Sequence, residues 1–146
     1  MRQLKMVLDL NTLGITYRSL RLLRNEIARR VDHDLLVVEV PTTHLTSGYL
    51  IIDRTANEAV FTGDGFRTDG GGEGGAGYRA AEAYLDIFRL NPYMADPVDM
   101  APAYEGNSDT VVEGLRGIAE AALKETSGQF IKPSDTNPSY MRGYVR

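Results

Sequence analysis

The sequence predicts a single α+β domain, a mixed or antiparallel sheet of about four strands with helices packed on one face. Three observations carry this. The chain has 146 residues, 42% hydrophobic and 25% charged, which suits one packed core. Its apolar residues recur at two periods, as short β-branched runs and as longer stretches spaced by three and four. The segments follow one another as β-α-β-β-β-α-α, without strict alternation.

Leu4 to Leu10, LKMVLDL, reads as a buried strand, and NTLG turns the chain after it. Between Thr16 and Val31, the residues Tyr17, Leu20, Leu23, Ile27 and Val31 form one apolar stripe on a helix. The other faces of that helix carry Arg18, Arg21, Arg24, Arg29 and Arg30. With Glu26 on the same helix, most of this charge reads as solvated surface. Arg18 and Arg21, near the N-terminal end, are the pair placed to reach a ligand or a partner subunit. Asp34 to Val40 is a β-branched strand that stops at Pro41, as an edge or terminal strand does.

GYLIID and AVFTG flank RTANE, a hairpin with its turn around Ala56 and Asn57. Tyr78 to Leu90 is the second helix, with Ala81, Leu85 and Phe88 facing inward. NPYMADPVDMAPAYEGNS holds three prolines and reads as an ordered connector docked by Tyr93, Met94, Met100 and Tyr104. Thr110-Val-Val-Glu113 matches a capping box that opens a third helix, running to about Lys124. Gly114 and Gly117 inside it weaken the helix or mark a close crossing. The domain is expected over residues 1–128, with Gly-rich loop 63–77. Residues 129–146 form a polar, aromatic tail that clasps a partner subunit or orders on binding.

Composition narrows the functional classes. The formal charge is −4 and the isoelectric point near 5.2, which argues against general nucleic-acid binding. There are no cysteines, so disulfides, thiolate metal sites and cysteine nucleophiles drop out. No apolar run approaches the roughly 20 residues of a membrane span. The N-terminal MRQLKMVLDL has no small-residue cleavage site behind it, and a cytoplasmic setting is expected.

The stretch TGDGFRTDGGGEGGAGY is the chain's most distinctive. Eight of the fifteen glycines lie between Gly63 and Gly77, directly ahead of the second helix. Either they form a flexible linker, or they present backbone N–H groups to a ligand. The run joins a strand to a helix with no domain boundary nearby, which favours the ligand. Such a turn offers unpaired amides and the positive end of the helix, a geometry suited to phosphate. Gly65, Gly71, Gly72, Gly74, Gly75 and Gly77 are the backbone candidates. Arg67 and Arg79 would add charge and bidentate contacts, while Phe66 and Tyr78 offer faces for a base. No Gly-Lys-Ser/Thr closes the loop, so it is not a Walker A motif, and it lacks the position of a Rossmann fingerprint.

Nothing assembles a catalytic set. His33 and His44 do not form a paired motif and lack metal-ligand spacing. The expected function is therefore non-catalytic binding or sequestration of a phosphorylated small molecule, most simply a nucleotide, by a homo-oligomer that needs no cofactor. Two alternatives stand beside it. One is a nucleotide hydrolase or transferase using Asp64 and Asp69 with a divalent metal. The other is an assembly protein in which the glycine segment is only a connector.

Thr62-Gly63-Asp64-Gly65-Phe66-Arg67, followed by a Gly-rich run and a helix, resembles the phage Thoeris anti-defence sponge family over some twenty residues. The resemblance implies a non-enzymatic protein that sequesters a cyclic ADP-ribose-type or cyclic oligonucleotide signal in pockets formed on oligomerisation. The matching positions are Phe66, for base stacking, and Arg67, for phosphate pairing. The arginine-bearing first helix and the aromatic tail are departures from that pattern.

Overall fold

The computed structural model describes residues 3–125. The expected tail at 129–146 lies outside the described residues. Strand β1 (Lys5–Leu8) leads through a single 3-10 turn (Leu10–Thr12) into helix α1 (Thr16–Ala28). Strands β2 (Leu35–Pro41), β3 (Thr46–Asp53), β4 (Glu58–Phe61) and the short β5 (Phe66–Arg67) follow. Helix α2 (Gly72–Ile87), strand β6 (Tyr93–Met94), the single turn α3 (Ala101–Tyr104) and helix α4 (Asp109–Glu125) complete the described chain.

The sheet has six strands in the order β1-β4-β3-β2-β6, with β5 beside the start of β3. Strand β1 runs parallel to β4 and β6 parallel to β2, while β3 is antiparallel to β2, β4 and β5. Thus β1, β4, β2 and β6 all point the same way, and the loops that leave them emerge on one edge. The α+β class stands, with more strands than the four expected.

Helices cover both faces of the sheet, not one. Leu36, Val38, Val40, Leu50, Ile52 and Phe61 pack with Val111, Leu115, Ala119 and Ala122 of α4. The alternate residues Val37, Tyr49 and Ile51 pack with Leu23 and Ile27 of α1 and Ala81 and Leu85 of α2. The physical reason is written in the strands. LLVV and LII are continuous apolar runs, the pattern of strands buried on both sides. Strand β2 is also not an edge. Pro41 ends it, but Val38 and Glu39 pair with Tyr93 and Met94 of β6.

The hairpin turn falls where expected, with Asn57 in the left-handed region at φ 57°. Helix α1 stops three residues short of Val31, which is exposed along with Tyr17. Arg30 is the larger departure. Expected as solvated charge, it is 1% exposed and packs into an ionic cluster at the end of the sheet opposite the loops of β4. Its guanidinium meets Asp53 at 2.5 Å, Glu26 at 2.9 Å, and Glu58. His33 Nδ1 lies 2.6 Å from the same Asp53 oxygen. Burial alone would lower the Arg30 pKa, but its bonds to Glu58, Asp53 and Glu26 outweigh that and raise it.

Helix α4 begins without the expected capping box. Its first bond runs from the Val112 amide to the Ser108 carbonyl, and Glu113 pairs with Arg116 instead. Gly114 and Gly117 mark no close crossing: a Cβ on Gly117 would meet nothing within 4 Å, and one on Gly114 only Val98 at 4.0 Å.

Candidate functional site

Helix α2 starts at Gly72, six residues ahead of the expected Tyr78, so the glycine run is mostly helix and turn. Intrinsic propensity opposes this, at about 1 kcal/mol per helical glycine. Packing supplies the reason. A Cβ on Gly77 would sit 2.3 Å from Thr16 Cγ2 of α1, and one on Gly75 would sit 2.2 Å from the Gly70 carbonyl carbon. The glycines let α2 approach α1 and its own lead-in loop. Gly74, Gly75 and Gly77 are buried, so the run is not a flexible linker, and the Gly75 amide is taken by the Gly71 carbonyl.

The turn after β4 is held just as closely. Thr62 to Phe66 is buried throughout. Gly63 adopts φ 96°, and a Cβ there would meet Thr12 Oγ1 at 2.6 Å. The Gly65 amide donates to Ser19 Oγ at 3.2 Å, and the Thr16 hydroxyl donates to the Gly65 carbonyl at 2.6 Å. This stitching fixes Asp64 at the sheet edge, 7% exposed. Its Oδ1 accepts from the Gly14 amide at 2.7 Å and from the Tyr104 hydroxyl at 2.9 Å.

A cleft of about 520 Å³ opens above Asp64. Each of the co-directed strands contributes a loop to its wall: Gly14 follows β1, Thr42 and Thr43 follow β2, Asp64 follows β4, and Asp99 follows β6. The first turns of α1 and α2 reach it through Thr16, Glu73 and Gly74. In open sheets with co-directed strands, the edge at their carboxyl ends is where ligands bind. The wall is rich in oxygen. Asp64, Glu73 and Asp99 supply carboxylates, and Thr42, Thr43 and Thr46 form a hydroxyl chain with 2.8 Å links through Thr46.

Arg67 is the cleft's guanidinium. It forms a fork on Asp69, Nε to Oδ1 at 3.1 Å and Nη2 to Oδ2 at 2.6 Å, which leaves Nη1. The hydrogen bonds from Arg67 and from the Gly71 amide take Asp69 down to about 2. Gly71 is the N-cap of α2, and the first intrahelical bond runs from the Gly75 amide to its carbonyl. The amides of Gly72, Glu73 and Gly74 precede that bond and have no carbonyl within the helix.

Several expected site residues are elsewhere. Phe66 is fully buried, edge-on to Tyr49 at 5.4 Å, and offers no face to a base. Tyr78 stacks on Tyr49 at 6.4 Å and donates to Glu39 at 2.9 Å, beneath α2 and away from the cleft. Arg79 is exposed and donates to the Gly70 carbonyl at 3.3 Å. Arg18 and Arg21 flank the Tyr17 ring and line a separate, shallow depression with Asp9, Asn11 and Asn25. They do not meet the glycine turn. Asp64 and Asp69, the metal pair of the enzymatic alternative, face different partners. Among the described residues, no three His, Cys, Asp or Glu side chains are grouped to hold a metal ion. No helix there is long and apolar enough to cross a membrane.

Sequence reasoning did not place Gly14, Tyr104, Asp99 or the threonines of 42–46 in the site. The signal available was weak: four polar turns, each following a strand. Comparisons of the chain with protein-family models, with curated proteins and with solved structures give no match.

Proposed function

We propose that the cleft binds a small phosphorylated molecule, a nucleotide or nucleotide-like signal, and holds it without converting it. The observation that carries this reading is the convergence of four strand-end loops and two helix N-termini on one cavity that contains Arg67. A phosphate is accommodated at the first turn of α2, where the amides of Gly72 to Gly74 and Arg67 Nη1 are its donors. The hydroxyl-bearing part of the ligand faces Asp64 and the threonine wall. The base does not stack on Phe66, so that role falls away from the sponge resemblance. The rest of the resemblance, in residues 62–67, favours sequestration by a homo-oligomer over turnover.

Thermal unfolding against AMP, ADP-ribose, cyclic ADP-ribose isomers and cyclic dinucleotides tests the reading. A ligand at a hundred times its dissociation constant adds roughly 2.7 kcal/mol of apparent stability. That gain is expected for one of these ligands and is expected to vanish in Arg67→Ala. If none of them stabilises the protein, the reading fails.

A further inference from the structure

Tyr104 stands over Asp64 at the mouth of the cleft. The residue is 56% exposed, while its hydroxyl reaches inward to the carboxylate, 2.9 Å from Oδ1 and 3.1 Å from Oδ2. Gly14 makes this possible, since a Cβ there would lie 2.8 Å from the Tyr104 oxygen. Burial and the adjoining Asp64 carboxylate push the phenol upward, so it keeps its proton at neutral pH.

The proton inventory then sets what can bind. Tyr104 gives its one proton to Asp64 and is left with lone pairs. Thr16 gives its proton to the Gly65 carbonyl at 2.6 Å and is likewise an acceptor toward the cleft. Asp64 Oδ1 already takes two donors, the Gly14 amide and Tyr104, whereas Oδ2 shares only the Tyr104 proton. This corner of the cavity therefore presents neighbouring acceptor lone pairs on Asp64 Oδ2, the Tyr104 oxygen and the Thr16 oxygen. An unmatched acceptor set is satisfied by a ligand that brings adjacent O–H donors. The exposed face of the Tyr104 ring adds an apolar surface beside them, suited to the C–H face of a sugar.

We infer that Asp64 and Tyr104 form a specificity site for a vicinal diol, so that the cleft selects ribose over 2′-deoxyribose. This rests on the phosphorylated-ligand reading for the rest of the cleft. One hydroxyl of the diol donates to Asp64 Oδ2 and its neighbour donates to the Tyr104 oxygen. Tyr104 is the specificity-determining residue and Arg67 the phosphate anchor, some forty positions apart in sequence.

Calorimetric titration with AMP, dAMP and adenosine tests this, using the wild-type chain, Asp64→Asn, Tyr104→Phe and Arg67→Ala. Asn keeps an oxygen for the Gly14 amide, and Phe keeps the ring, so both variants preserve the turn. Wild type is expected to bind AMP about tenfold or more tighter than dAMP. Each of Asp64→Asn and Tyr104→Phe is expected to remove most of that ratio by weakening AMP and leaving dAMP unmoved. Equal binding of AMP and dAMP, still lost in Arg67→Ala, would overturn the diol site and leave the phosphate reading intact. Adenosine binding as tightly as AMP, with sensitivity to Asp64→Asn, would do the reverse. No binding of any of the three would overturn the diol site, and the phosphate reading falls with it if every ligand of the thermal series also fails.

Discussion

Arg30 Nη1 and Asp53 Oδ2 meet at 2.5 Å with both side chains out of water, 1% and 0% exposed. Glu26 and Glu58 close the other side of the guanidinium. Removing the cation alone leaves carboxylates buried without compensation, which typically costs about 3–5 kcal/mol. Arg30→Met is expected to lose that much in urea unfolding. Arg29→Met, its 59% exposed neighbour, is expected to lose far less. Equal losses would mean that the cluster is not what anchors this end of the sheet.

The same cluster sets an acid limit. Burial raises Asp53, but the bonds from His33, the Ala56 amide and Arg30 outweigh it, so its pKa lies below the ordinary 3.8. The Arg30 hydrogen bond holds Glu58 below its ordinary 4.5. Groups depressed on folding contribute stability that is complete above their unfolded values and is lost as pH falls through the folded ones. Stability is therefore expected to hold from neutral pH down to about 4.5 and to fall steeply below it. In Arg30→Met the fall should be shallower, because Glu58 loses its main depressing contact and Asp53 loses one of its three hydrogen-bond donors. A chemical-denaturation series from pH 7 to pH 2 reads both slopes.

Phe66 separates two roles that the sequence leaves open. As a buried anchor under α2 its loss should cost about 3–5 kcal/mol, the range for truncating a large core side chain. As a base-stacking residue its loss would weaken binding and spare the fold. Phe66→Ala is expected to lower the urea midpoint sharply without ligand present.

The glycines divide in the same way. Gly117 sits exposed inside α4 with open space at its Cβ, so Gly117→Ala should stabilise by about 1 kcal/mol. Gly75 has the Gly70 backbone 2.2 Å from its Cβ position, so Gly75→Ala should destabilise and disturb the lead into α2. Paired thermal melts decide this. A stable Gly75→Ala would mean that the loop is not packed as described.

What was legible in the sequence follows from how local each signal is. The hairpin of GYLIID and AVFTG and the helix that runs to about Lys124 are carried by residues close in sequence, and both are found where expected. The start of α2 is not local. Its glycines oppose a helix by propensity, and only Thr16 and Gly70, packed against them, explain why the helix forms there. Arg30 follows Glu26 by one helical turn and reads as an exposed pair until Asp53 and Glu58 arrive from the hairpin. Arg67 and the turn at 62–65 could be singled out because they lie within six residues. Tyr104 could not, since it reaches Asp64 across forty residues and a proline-rich connector. Phe66 shows the opposite failure: its neighbours Gly65 and Arg67 mark a site, while its own side chain belongs to the core.

The proposed ligand sits in the cleft at the carboxyl ends of β1, β2, β4 and β6. Amide chemical-shift mapping during titration with AMP locates the ligand directly. The largest changes are expected on Gly14, Asp64, Gly65 and the first turn of α2 at Gly72 to Gly74. Changes that gather instead around Arg18 and Arg21, or that stay absent at saturating AMP, would contradict that placement.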